Sequence, residues 1–148
     1  MSALPPKLQS LLEMLASLER RERMDMLIDL AAKYQDPPPE VAVRPYAPNH
    51  RVPGCESEAY VWGEPRPDHT LKYHFAVNNP QGVSAKATAV ILGRVLSGLP
   101  LDEVLRVPPE VMYDIFGREL SLGKNLGLSN MLVMCQAFAR EALNSPQA

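Results

Sequence analysis

The chain has 148 residues, with 15 Lys and Arg against 17 Asp and Glu and a net charge of −2. That balance excludes the basic field that binding to nucleic acid or an anionic membrane surface would need. Apolar residues make up 46% and charged residues 22%, an ordinary globular composition, and a chain of this length buries roughly 70% of its unfolded surface. One domain over residues 1–148 is expected, with its core in about 5–143. Met1-Ser2-Ala3-Leu4-Pro5-Pro6 has neither the basic nor the apolar region of a signal peptide. No apolar run approaches the ~20 residues of a membrane span, so a cytoplasmic protein with free thiols is expected.

Pro5-Pro6 opens a first helix, in which Leu8, Leu11, Leu12, Leu15 and Leu18 recur at helical spacing. A second helix is predicted from about Glu19 to Tyr34, with Met24, Leu27, Ile28, Ala31 and Tyr34 on its apolar face. Asp36-Pro37-Pro38-Pro39 stops it, because proline cannot continue a helix. Residues 40–54 read as irregular or briefly extended, with Val41-Ala42-Val43 followed by Pro45, Pro48 and Pro53. Two strands follow, near Ser57–Gly63 and Thr70–Val77, and the polar link Glu64-Pro65-Arg66-Pro67-Asp68-His69 suits a hairpin. After the turn cluster Asn78–Gly82, an apolar helix is predicted from Val83 or Ser84 to Ser97, central and mostly buried, ended by Gly98. Short helices at Leu101–Leu105 and Pro109–Phe116 precede a last helix with the stripe Leu128, Met131, Leu132, Cys135, Phe138, Ala139 and Ala142. Asn144–Ala148 reads as a frayed tail. Few strands among grouped helices give the α+β class.

The chemistry concentrates in Arg51-Val52-Pro53-Gly54-Cys55-Glu56-Ser57-Glu58. Pro-Gly holds a thiol at the mouth of a strand, flanked by polar residues that suit a surface loop better than a core. The competing reading is a packed core cysteine, since free Cys is among the most buried residue types. Cys135 fits that second description, because it lies on the apolar stripe of the last helix. The compartment argument speaks against a Cys55–Cys135 disulfide.

Other chemistries find little support. The three histidines, His50, His69 and His74, stand in loops or the second strand, and only folding could bring one to Cys55. There is no CxxC or HxxxH spacing for a metal. Gly117-Arg118-Glu119-Leu120-Ser121-Leu122-Gly123-Lys124-Asn125 imitates a phosphate loop, but has the wrong glycine spacing and Asn125 in place of Ser or Thr.

The ordered set resembles the SufE family of sulfur-acceptor proteins. Val52-Pro53-Gly54-Cys55-Glu56-Ser57-Glu58 is similar to the segment around that family's sulfur-accepting cysteine. Ser84-Ala85-Lys86-Ala87 is similar to the start of its central helix, and Leu120–Leu128 to its late Leu-Ser/Thr-x-x-Arg-x-x-Gly-Leu motif. The likeness spans roughly Pro5 to Ala142. Two positions depart: the family's Val-Trp pair is displaced to Val61-Trp62, and its arginine is Lys124, which keeps the charge but not the planar fork.

The resemblance implies a small antiparallel sheet of about three strands packed against helices, SufE/IscU-like. It implies Cys55 as persulfide acceptor, with Arg51, Gly54, Glu56, Ser57 and Lys124 as tuning or partner-contact residues. The implied partners are a SufS-like cysteine desulfurase and an iron–sulfur scaffold, SufBCD-like or U-type. No cofactor or metal of its own is implied, since pyridoxal phosphate sits on the desulfurase, and the chain would be a monomer or weak homodimer. Glu56 and Glu58 should hold the thiol pKa up, with Arg51 and Lys124 offsetting them. Strand alternation puts Tyr60 and Trp62 on one face, either sheltering a persulfide or serving as core aromatics. The alternative function is a stand-alone peroxidase or hydrolase using Cys55.

Overall fold

In the computed structural model the described residues are 4–78, 82–117 and 122–145. Helix α1 covers Pro6–Ala16 and α2 covers Arg20–Ala31. Proline opens α1, where its missing N–H costs nothing. A capping box opens α2, the side chains of Glu19 and Glu22 each reaching the other's backbone amide. The segment after α2 runs to a 3₁₀ turn at Pro48–His50.

Strands β1, Ala59–Pro65, and β2, Leu71–Val77, pair antiparallel in register from Ala59↔Val77 to Pro65↔Leu71. In the hairpin the Arg66 and His69 amides donate to Thr70 O and Arg66 O, at 2.9 and 3.0 Å. Asp68 accepts the Thr70 hydroxyl at 2.6 Å. Among the described residues the sheet has two strands, not about three. The extra pairing is one isolated bridge, Arg51↔Tyr60, with Val52 N donating to Ala59 O at 2.8 Å. Pro53 has no N–H to continue that ladder and Gly54 turns the chain away, so the third strand stops after one step.

Helix α3 covers Val83–Leu96, α4 Leu101–Leu105, α5 Val111–Phe116 and α6 Leu122–Asn144. The core runs between these helices and one face of the hairpin. Leu8 and Leu15 of α1, Val61, Phe75, Ile91, Leu92, Met112, Ile115, Leu128, Met131 and Leu132 all join one buried cluster. Each large aliphatic side chain so buried stabilises the fold by roughly 1.5–3 kcal/mol. Helix α3 is central as expected, with eight buried residues from Ala85 to Leu96. The α6 stripe also faces inward, and Gln136 ties α6 to α4 by donating to Val104 O and Val107 O at 3.1 and 2.7 Å.

The apolar face predicted for α2 is partly wrong. Met24 and Ile28 are 48% and 49% exposed, and the buried row is Leu27, Leu30 and Ala31. Helix α2 packs against α3. On the outer face of the sheet, Tyr60, Trp62 and Ala76 form a separate cluster with Tyr46. The tip of the turn cluster (79–81), part of the phosphate-loop look-alike (118–121) and most of the tail (146–148) lie outside the described residues.

Candidate functional site

Residues 52–59 form a loop closed at its neck by the Val52–Ala59 hydrogen bond, with Val52 buried in the core. Gly54 sits at its crown with φ +68°, a left-handed conformation that favours glycine. The loop does not stand free. It is seated on the first half of α6, where Gly123, Gly127 and Asn130 follow one another at helical spacing. Asn130 Nδ2 donates to Pro53 O at 2.8 Å. A side chain on Gly127 would place its Cβ 2.7 Å from Cys55 Cα and 3.0 Å from Gly54 O. Only glycine lets helix and loop approach so closely.

This seat leaves Cys55 half-buried against the core, as a free thiol. Beside it lies a cavity of about 210 Å³ lined by Cys55, Glu56, Ser57, the first turn of α3 (Val83, Ser84, Ala85), Lys124 and Leu128. Burial raises the Cys55 pKa above the ordinary thiol value. Glu56 pushes the same way, while the Ser57 backbone amide and Arg51 pull it down. The direction is the one expected, but desolvation is the larger cause.

The expected site residues divide. Cys55, Glu56, Ser57 and Lys124 line one cavity, Gly54 shapes the turn, and Arg51 acts on the thiol through its charge. Glu58 does not act on it. Its carboxylate accepts from Tyr60 at 2.8 Å and Asn78 at 2.7 Å, which lowers its own pKa. Tyr60 and Trp62 lie on the far side of the sheet and do not line the cavity, so they are core-like aromatics rather than a persulfide shelter. His50 is not a base for the thiol. Its ring is stacked between Trp62 and Phe138, with centroids 5.2 and 5.8 Å away, and its Nδ1–H donates to Val61 O at 2.8 Å. His74 meets Glu64 at 2.8 Å. None of the three histidines lines the cavity.

Gly127 and Asn130 are the site residues that sequence reasoning passed over, one as a motif letter and the other entirely. Their signal was a small and polar row, 123, 127 and 130, at helical spacing in the first half of the last helix. Cys135 is fully buried, its pKa strongly raised by desolvation, and serves packing. Among the described residues no three His, Cys, Asp or Glu side chains gather as a metal site would require, and no helix is long and apolar enough to cross a membrane.

The fold and the loop together define an α+β protein that presents one half-buried thiol from a surface loop seated on a helix. Its relatives narrow this further. The SufE family profile, described as an Fe-S metabolism associated domain, matches residues 9–139, so the chain belongs to the SufE family and to iron–sulfur metabolism. It is 28% identical over 138 residues to SufE-like protein 1, chloroplastic/mitochondrial, of Arabidopsis thaliana, a match covering 92% of this chain and 35% of that protein. The chain thus spans about a third of that curated relative's length. The solution structure of a hypothetical protein from Thermus thermophilus superposes with a TM-score of 0.75 at 30% identity. That match covers 97% of this chain and all of the other.

Proposed function

We propose that the protein is a sulfur carrier in which Cys55 takes sulfur from a cysteine desulfurase and delivers it for iron–sulfur cluster assembly. The observation that carries this reading is the half-buried thiol on its seated loop, facing a cavity with no histidine in its lining. The cavity's 210 Å³ far exceeds the roughly 15 Å³ that one water-sized occupant needs. It therefore has room for one added sulfur.

In the step, Cys55 Sγ as thiolate attacks the outer sulfur of a persulfide on the desulfurase's catalytic cysteine. A new S–S bond forms to Cys55, the donor's S–S bond breaks, and the donor cysteine leaves as thiolate. No net oxidation or reduction occurs. The transferred sulfur carries negative charge, which the first turn of α3 and the Lys124 ammonium favour. A raised thiol pKa suits a carrier that resists stray oxidation at rest and is activated on docking. Pyridoxal phosphate belongs to the desulfurase, and the carrier needs no cofactor of its own. A scaffold protein of the SufBCD or U type receives the sulfur. The carrier works as a monomer or weak homodimer, and its two free thiols suit the reducing cytoplasm.

The test mixes the protein with a cysteine desulfurase and free cysteine and reads added sulfur by mass spectrometry. Wild type and Cys135→Ser gain one sulfur; Cys55→Ser gains none. Labelling of Cys55→Ser at the wild-type level sinks the assignment.

A further inference from the structure

A second concavity lies away from the thiol. It is a groove of about 790 Å³ between β2 (Lys72 to Phe75), the second half of α3 (Ala89, Val90, Gly93, Arg94) with Ser97, and Tyr34–Pro38 after α2. Ser84 in the thiol cavity and Arg94 in the groove are ten residues apart on α3, ~15 Å along its axis at ~1.5 Å per residue.

Two independent observations characterise the groove. The first is charge. Lys7, Lys33, Lys72 and Arg94 line it, and none of the four makes an ion pair among the described residues. Its one acidic lining residue, Asp36, is already satisfied by Arg44 at 3.3 Å and the Tyr34 hydroxyl at 2.8 Å. Four such cations on one groove stand out in a chain of net charge −2.

The second is backbone. β2 pairs with β1 on one side only. On its outer edge the backbone groups of Leu71, Tyr73, Phe75 and Val77 point away from β1, by the alternation of an antiparallel ladder. Both ends of this edge are covered: Leu71 O accepts from Gly98 N at 2.9 Å, Tyr73 N donates to Ser97 Oγ at 3.0 Å, and Val77 N donates to Tyr34 Oη at 2.8 Å. Between these caps, the N–H and C=O of Phe75 make no hydrogen bond within the described residues, and Phe75, although largely buried, is among the residues that line the cationic groove. A strand edge left unpaired is a template for another extended chain.

We propose that this groove docks an extended acidic segment of a partner protein, which adds to the β2 edge at Phe75 while its carboxylates meet Lys7, Lys33, Lys72 and Arg94. Edge addition supplies main-chain hydrogen bonds, and the flanking charges supply specificity and attraction. A second copy of this chain is the wrong occupant, because it would bring the same four cations face to face. The inference does not depend on the sulfur-transfer reading. A carrier held by this groove would keep its thiol free, since Cys55 opens elsewhere.

The probe is a fluorescein-labelled, end-capped decapeptide of alternating Glu and Val, titrated with the full chain and followed by anisotropy. Binding is expected that weakens with added salt. Its Lys–Val counterpart should not bind. Lys33→Glu combined with Arg94→Glu, both exposed positions, should weaken the Glu–Val peptide about tenfold, whereas Arg140→Glu on the outside of α6 should not. Amide NMR of the same titration should move Lys72–Phe75 and leave Cys55, Ser57 and Lys124 in place. Circular dichroism checks that the double variant is folded; if it is not, Arg94→Gln alone takes its place.

The proposal is overturned if no acidic peptide binds, or if Arg140→Glu weakens binding as much as the groove variants do. It is overturned equally if a Glu–Val peptide N-methylated at alternate residues, or inorganic pyrophosphate, binds as well as the parent. Those last results would mark a site for compact anions rather than a strand.

Discussion

Gly127 of α6 and Cys55 of the loop touch so closely that a single methyl on Gly127 would stand 2.7 Å from Cys55 Cα. The thiol is therefore positioned by a helix that contributes no side chain at the point of contact. It is the seat, more than the residues beside the cysteine in sequence, that half-buries Cys55 and sets its pKa.

That contact reverses an ordinary expectation. Alanine in place of a helix-interior glycine stabilises by about 1 kcal/mol. Gly127→Ala should instead destabilise, because a crowded contact that forces backbone to move costs about 1–3 kcal/mol. The expected net result is a Tm lower by a few degrees, at about 2–4 °C per kcal/mol for a chain of this size. Cys55 should also alkylate faster as the loop lifts. A rise in Tm with unchanged alkylation would mean the loop is not seated on α6.

The turn at Gly54 gives a second expectation. With φ at +68°, Gly54→Ala should cost about 1–2 kcal/mol, and Gly54→Asn less, since asparagine tolerates the left-handed region. Asn130→Ala removes the 2.8 Å hydrogen bond to Pro53 O and should cost about 1 kcal/mol. A Cβ on Gly54 would lie 3.3 Å from Asn130 Nδ2, so the two substitutions should not be additive. Urea unfolding of the double-mutant cycle measures the coupling, and strict additivity would separate the turn from its anchor.

The same contacts explain what the sequence could and could not disclose. Strong apolar periodicity gave α3 and the α6 stripe, and Leu101–Leu105 agrees to the residue. Helix α2 misled because its apolar positions are few: Met24 and Ile28 fit a helical face but lie outside the buried row of Leu27, Leu30 and Ala31. Helix α6 starts at Leu122, six residues before the predicted stripe, and its added first turns carry Gly127, the point of contact with the loop. Cys55 was legible from its neighbours. Asn130 was not, since it meets the loop across 77 residues of chain and only tertiary packing joins them.

The thiol chemistry predicts two pH dependences. Cys55 alkylation by iodoacetamide should show its inflection above the ordinary thiol value of about 8.5. Glu56→Gln should lower that inflection and Arg51→Ala should raise it, since the two charges act in opposite senses. Stability follows by linkage. Both cysteines have raised pKa values in the folded state, so their contribution is fully present below the unfolded thiol pKa. As pH rises past about 8.5, the unfolded chain loses its thiol protons first, and stability falls until the folded thiols titrate as well. Urea unfolding from about pH 7 to about pH 10 should show this decline, with a shallower slope in Cys135→Ala. A flat profile would contradict the burial of both groups.

His50 provides the sharpest separation between a carrier and a stand-alone thiol enzyme. It stands five residues from Cys55 in sequence, where a general base could be imagined. In the fold its ring is committed to Trp62, Phe138 and the Val61 carbonyl. His50→Ala should therefore lose stacking and a hydrogen bond and destabilise by about 1–3 kcal/mol. His50→Phe should recover part of that loss, because it keeps the stacked ring and forfeits only the bond to Val61. In both variants, measured well below their Tm, the pH profile of Cys55 alkylation should overlay that of wild type. If both variants instead slow alkylation while their melting curves stay intact, the imidazole acts on the sulfur, and the enzyme reading regains the base it lacks here.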